Sequence, residues 1–190
     1  PVFRRILWIS LIANGLMFLV EIVASYFGDS ISLQADALDF LGDAANYAIS
    51  LFVLGMALHL RARASMIKGI TMAVFGLWVI SNAGYRALVG SAPEPTVMGG
   101  IAVIALAVNF IVAFLLYRYR EGDSNMRSIW LCSRNDAIGN IAVMIAAAGV
   151  FATSSRWPDL LVAAIIASLS LSAAFHVIRL AISEMRADNA

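Results

Sequence analysis

Charged residues make up only 13% of this 190-residue chain, where a soluble domain carries roughly 25%. The shortage excludes a soluble globular fold. The 62% share of hydrophobic residues replaces it with apolar runs long enough to cross a bilayer. A single cysteine, Cys132, excludes an internal disulfide and says nothing more about compartment. A single lysine, Lys68, stands against 12 arginines. Lys68 lies near a loop, and a retinal-type pump needs a mid-membrane lysine for its Schiff base, so that class is excluded. Acidic and basic residues nearly cancel, at a net +1. The charges sit in loops, and no nucleic acid partner is expected. The chain begins at Pro1 rather than methionine, so its first residues are expected to be missing or processed. The apolar run after Arg4 and Arg5 is too long for the h-region of a signal peptide and reads as a first spanning helix.

A span needs about 20 mainly apolar residues. Six can be drawn, near 6–27, 32–58, 67–89, 97–117, 128–152 and 160–182, giving an all-α integral membrane protein with one transmembrane domain over residues 1–190. The connections at 28–31, 90–96 and 153–159 are short, and Pro93, Pro95 and Trp157-Pro158-Asp159 supply turn and helix-start chemistry. Arg4, Arg5, Arg61, Arg63, Lys68, Arg118, Arg120, Arg127, Arg179 and Arg186 fall on one side of these spans, and only Arg86 and Arg156 on the other. The positive-inside rule then puts both termini in the cytoplasm. Trp8, Tyr117, Tyr119 and Trp130 suit the inner interface, and Tyr26, Tyr85 and Trp157 the outer one. Two stripes of small residues, Gly69/Ala73/Gly76 and Ala164/Ser168/Ser172, are expected to serve helix packing.

Within that apolar setting the second span carries Asp36, Asp39 and Asp43 inside eight positions. One charged side chain near mid-membrane costs on the order of 2.5–3.5 kcal/mol on insertion scales, so packing does not explain three. Asp39 and Asp43 are four residues apart and share a helical face. Two carboxylates so placed repel each other unless a cation or protons lie with them, and they are half of a metal site. The fifth span offers the other half in Cys132 and Asp136, again four apart. Asp39, Asp43, Cys132 and Asp136 together make four ligands, the number that suits a tetrahedral divalent transition metal.

Other polar residues fall into place around these four. Asp36 lies one turn before Asp39 and is a candidate for an entry path or for support of the ligands. Asn46 and Asn140 continue the two acidic faces, and Asn14 and Asn109 lie in the first and fourth spans. Each is a candidate to line the cavity, with helix-to-helix hydrogen bonding as the equal alternative. Glu21 in the first span is unusual enough to suggest contact with a water-filled path. Arg134, two residues before Asp136, points to another side of the helix and is expected to reach the inner interface or another acid. His59 and His176 read as interfacial histidines.

These motifs resemble the cation diffusion facilitator family. The resemblance rests on Glu21, Gly28, Ser30 and the run from Ala35 through Asp43, on Asp136-Ala137-Ile138-Gly139-Asn140, and on Trp157-Pro158-Asp159. Asp39 and Cys132 stand where many members have histidine. The resemblance covers essentially the whole chain. It implies six spans, a homodimer and exchange of cytoplasmic divalent metal for protons, in a member located in a bacterial inner membrane. The family's usual soluble metal-binding domain after the sixth span is missing, as is the histidine-rich loop of some zinc members. The chain is expected to be a naturally short member or to have been cut.

The chemistry of the four ligands agrees with that implication. Metal binding would discharge protons from crowded carboxyl and thiol groups, and protons reloading the site would displace the metal. A thiolate favours zinc or cadmium over magnesium and calcium, with cobalt, iron(II) and manganese left open by the three oxygens. The metal is thus a transported substrate; no cofactor and no enzymatic activity are expected. The alternative is an intramembrane aspartyl protease using Asp43 and Asp136 as its dyad, which leaves Asp39 and Cys132 idle. A purely structural role for the acids lacks basic partners.

Overall fold

A computed structural model describes residues 2–52, 58–118 and 124–187, with side chains described except at 58, 59, 61, 124–129, 131, 132, 135 and 187. These residues form six helices: α1 (Val2–Phe27), α2 (Ile31–Phe52), α3 (Leu58–Val89), α4 (Pro95–Tyr117), α5 (Ser124–Thr153) and α6 (Trp157–Ala187). Five of them contain stretches long and apolar enough to cross a membrane: Val2–Phe27, Ala62–Val89, Pro95–Tyr117, Asp136–Thr153 and Trp157–Arg186. The helices run longer than the drawn spans at most ends; α3 begins at Leu58, which was drawn as the end of the second span, and not near 67.

Polarity along the outer helices is reversed relative to a soluble bundle. α1 buries Leu7, Ser10, Asn14, Met17, Glu21 and Ser25 and exposes Ile9, Ile12, Leu16, Leu19 and Val23. The three-to-four spacing of the buried set marks one face, and that face is mostly polar, with Ser10, Asn14, Glu21 and Ser25, while the opposite face is aliphatic. Such a helix is stable only where its surroundings are as apolar as its outside, as lipid is. Together with the five apolar helices, this makes the chain a multi-pass integral membrane protein.

α2 is the helix the others surround. It touches α1, α3, α5 and α6, and 14 of its 22 residues are buried. α3 packs lengthwise on α6 through the first small-residue stripe. A Cβ at Gly69 would sit 2.6 Å from Ile178 Cγ1, and one at Gly76 would sit 2.8 Å from Leu171 Cδ2. Glycine there lets the backbones approach. The second stripe does not pack within the chain: Ala164, Ser168 and Ser172 are exposed. α6 turns Ala163, Ala167, Ser170 and Ala174 inward instead, one or two residues out of phase with the expected face.

At the end carrying the short loops, polar groups stitch the helices together. α1 closes with Asp29 in the left-handed region, at φ 54°, and with Ser30 N–H donating to Ser25 O at 3.0 Å, a Schellman-type ending. Asp159 of α6 then caps α2. Its Oδ1 accepts from Ser30 Oγ (2.6 Å), Ser32 N (3.0 Å) and Ser32 Oγ (2.6 Å), and its Oδ2 accepts from Ile31 N (2.8 Å). An anion at a helix N-terminus satisfies free N–H groups and complements the dipole. Arg156 does the converse at the end of α3, donating to the carbonyls of Ala87 (3.0 Å) and Gly90. Arg86 pairs with Asp29, which also accepts from Ser91 Oγ. The Arg86 guanidinium holds the Asp29 carboxyl below the usual carboxylate range. The chain order thus sends 28–30, 90–94 and 154–159 to one end and both terminal segments to the other.

Candidate metal centre

α2 displays its acids in the middle of the bundle, between two apolar clusters. One, toward the loop end, contains Ile31, Leu33, Ala35, Val79, Met98 and Val143 among others. The second, toward the termini, joins Leu7, Tyr47, Leu51, Val112 and Leu116. The acids lie between these plugs, Asp36 and Asp43 buried and Asp39 half-buried.

Asp43 is 6% exposed and sits where α2 meets α5. Its carboxyl reaches Asp136 and Asn46 and lies in the field of Lys68. Tyr47, one turn on, donates its hydroxyl proton to Asp43 Oδ2 at 3.2 Å. The same phenol oxygen lies 2.7 Å from Ser133 Oγ of α5. With the Tyr47 proton directed at Asp43, Ser133 is the donor in that second bond. Asp43, Tyr47, Ser133 and Asp136 thereby form one polar seam across the α2–α5 contact. Two carboxyls brought together in this way need a cation or a shared proton between them.

Asp39 faces a different neighbour. It is half-buried, and its Oδ1 accepts from Ser170 Oγ of α6 at 2.5 Å. Among the described residues no group of three or more His, Cys, Asp and Glu side chains is close enough to hold a metal ion. Cys132 belongs to α5, but its side chain lies outside the described residues. Of the four expected ligands, then, Asp43 and Asp136 are together and Asp39 stands one turn along α2, held by α6.

The remaining candidates are distributed along the same interior. Glu21 of α1 is fully buried, and its carboxyl faces Asp36 of α2, itself 1% exposed. Neither Glu21 oxygen nor Asp36 Oδ2 has a hydrogen-bond partner among the described residues. Asn46 accepts from Lys68 Nζ. Asn140 donates back to the Asp136 carbonyl at 2.9 Å, and Asn14 to the Ser10 carbonyl at 2.8 Å, so both amides are spent partly on their own helices. Asn109 is buried with both amide atoms unpartnered among the described residues. Arg134 lies with its guanidinium 5.4 Å from the Trp130 ring centroid. His176 is exposed, and the His59 side chain lies outside the described residues.

Several site residues have no counterpart in the sequence reading. Tyr47 was legible in principle, since it stands four residues after Asp43 on the same face. Ser133 and Ser170 carry no local signal, because serine is common in membrane helices. Lys68, expected near a loop, lies inside α3 and reaches Asn46; the arginines Arg61 and Arg63 before it concealed how far α3 extends.

Residues 7–185 match the model of the cation efflux transmembrane domain. The chain belongs to the cation efflux family. Among curated relatives, a cadmium, cobalt and zinc/H(+)-K(+) antiporter of Bacillus velezensis is 24% identical over 92% of this chain and 60% of its own length. Zinc transporter ZitB of Escherichia coli is 25% identical over 96% of this chain and 62% of its own. Metal cation efflux system protein CzcD of Cupriavidus metallidurans is 23% identical over 86% and 55%. The chain thus spans about 60% of the length of the relatives it matches. These relatives of the cation efflux family are bacterial and are named as transporters, not enzymes, in line with a multi-pass protein of a bacterial plasma membrane. Neither the family nor these relatives support the aspartyl protease alternative.

Proposed function

We propose that the chain exports divalent transition metal from the cytoplasm, zinc or cadmium first, in exchange for protons. The observation that carries this reading is the meeting of Asp43 on α2 with Asp136 on α5 inside an apolar bundle. Two acids so placed repel each other unless a proton or a cation lies between them, and a divalent cation resolves that repulsion. The names of the relatives, which mention cadmium, cobalt, zinc and protons, favour the same substrates.

In this reading α2 is the sixth span. Its 22 residues extend about 33 Å at ~1.5 Å per residue, enough for a hydrocarbon core of ~30 Å. Its three aspartates lower its hydropathy, but they face the bundle rather than lipid. Both termini lie in the cytoplasm by the distribution of arginines, and the working unit is a homodimer. The metal is held by Asp39, Asp43, Cys132 and Asp136. Closing that set requires Asp39 to leave Ser170 and turn toward α5, so loading draws α2 toward α5. Protons that replace the metal restore the acid pairs, and Glu21 with Asp36 offers them a buried route along α1. The Cys132 thiolate supplies the soft ligand that favours zinc and cadmium; cobalt, iron(II) and manganese suit the oxygens.

Inverted membrane vesicles test this directly. Zinc or cadmium uptake that collapses with the pH gradient supports the reading. Uptake that ignores the gradient would remove the antiport, and no uptake of any divalent metal would remove transport.

A further inference from the structure

The chain's one lysine is placed against its acids, and the reading above does not use it. Lys68 of α3 is half-buried. Its Nζ donates to Asn46 Oδ1, one turn from Asp43, and its charge acts on the Asp43 carboxyl. An ammonium in a helix core is costly, so its place beside paired acids is best understood by what it does to them. It is a cation occupying the surroundings that a metal cation would seek.

The space around Lys68 also allows it to move. A cavity of about 240 Å³ between α2, α3 and α6 is lined by Asn46, Ser50, Ser65, Lys68, His176 and Glu184 among others. It runs from the terminal end of the bundle up to Asn46. The lysine stem is flexible and its head is a compact point charge. Glu184 on the same cavity wall offers the ammonium a carboxylate away from Asp43.

We propose that Lys68 is a tethered cation competing with the metal at the Asp43–Asp136 pair. Without metal, the ammonium partly neutralises the two acids through Asn46 and the field at Asp43. A divalent ion entering from the cavity displaces it toward Glu184, and its return favours release of the metal. Lys68 is therefore a positioning and affinity-setting residue rather than a ligand. This inference rests on the metal-site reading above, and it predicts that the site binds metal less tightly than its acids alone would.

The test compares zinc binding isotherms at fixed pH for the detergent-solubilised chain and its variants. Lys68→Met keeps length and removes charge; it is expected to bind zinc about tenfold more tightly than wild type. Lys68→Arg restores the charge and is expected to return binding to the wild-type side. A merely structural lysine would give weaker binding in Lys68→Met. Equal or weaker binding in a folded Lys68→Met overturns the proposal. A second measurement reads the wild-type chain: reductive methylation with carbon-13 labels the one lysine and keeps its charge, with the Lys68→Arg spectrum as blank. The methyl resonance is expected to shift and to saturate at one zinc per chain, and a resonance that zinc leaves unmoved overturns the proposal. Zinc binding that survives unchanged in Asp43→Asn, or is absent from wild type, would overturn the metal-site reading and the tethered cation with it. Binding that needs Asp43 but ignores Lys68 would overturn the tethered cation alone.

Discussion

Asp159 and Asp36 are each 1% exposed, yet they inhabit opposite chemistries. Asp159, at the loop end, receives four hydrogen bonds from the start of α2. Asp36, in the middle of the bundle, faces Glu21 and has an oxygen without a partner among the described residues. Burial of a carboxylate is therefore not the mark of a site; the nature of its neighbours is. At the loop end acids meet donors and cations, as Asp159 meets backbone N–H groups and Asp29 meets Arg86. Those contacts fix the helix ends. In the middle, acids meet acids, at Glu21 with Asp36 and at Asp43 with Asp136. Such pairs change state when a cation or a proton arrives.

The sharpest way to break this contrast is to remove one acid from the middle. Asp43→Ala and Asp136→Ala are each expected to reduce metal transport in vesicles to background while leaving the chain folded and inserted. Wild-type rates with verified protein content would show that the pair is not the site. Removing the acid at the loop end should act on stability instead. Asp159→Ala strands the donors of Ile31, Ser30 and Ser32, and should cost on the order of 3 kcal/mol, read as a lower unfolding midpoint in detergent. Its zinc affinity per folded chain should remain that of wild type. A variant that stays equally stable but loses zinc would reverse the roles assigned to the two regions.

Smaller changes refine the middle. Cys132→Ser keeps size and removes softness, and should weaken cadmium binding more than zinc, and zinc more than manganese. Unchanged proportions among the three metals would make Cys132 a packing residue. Tyr47→Phe removes the proton donated to Asp43 and leaves Ser133 to redirect its own. It should weaken zinc binding about tenfold, with little change in unfolding midpoint. The smallest effect belongs to Asp29→Asn. The folded Asp29 carboxyl titrates below its ordinary range because of Arg86. The stability it contributes is therefore present at neutral pH and is lost only as the pH falls through that lowered value. Asp29→Asn should lower the neutral plateau slightly and flatten the acid limb by the same small amount, since an exposed pair is worth little. An unaltered acid limb would mean that the pair does not act.

Much of this plan was legible in the residues. Apolar runs marked the helices, and the spacing of Asp39 with Asp43 and of Cys132 with Asp136 marked two faces on two helices. Periodicity specifies which face a residue occupies, but not which helix covers it. Ser170 reaches Asp39 across 131 positions, and Asp159 reaches Ser30 across 129; no local pattern announces either contact. The same limit explains the second small-residue stripe, whose regular spacing was real but whose face turned outward. Lys68 was drawn near the start of the third span because Arg61 and Arg63 read as the end of a loop, while in space they belong to a longer α3. The Glu21–Asp36 pairing joins α1 to α2 at a depth that two isolated spans do not reveal.

Zinc K-edge absorption of the metal-loaded chain puts the site to the most direct test. A zinc held by Asp39, Asp43, Cys132 and Asp136 should show three oxygen neighbours at about 2.0–2.2 Å and one sulfur at about 2.3 Å. The sulfur shell should vanish in Cys132→Ser, and the bound zinc itself in Asp136→Ala. A six-oxygen shell without sulfur, present alike in wild type and in Asp136→Ala, would contradict a metal centre built between α2 and α5.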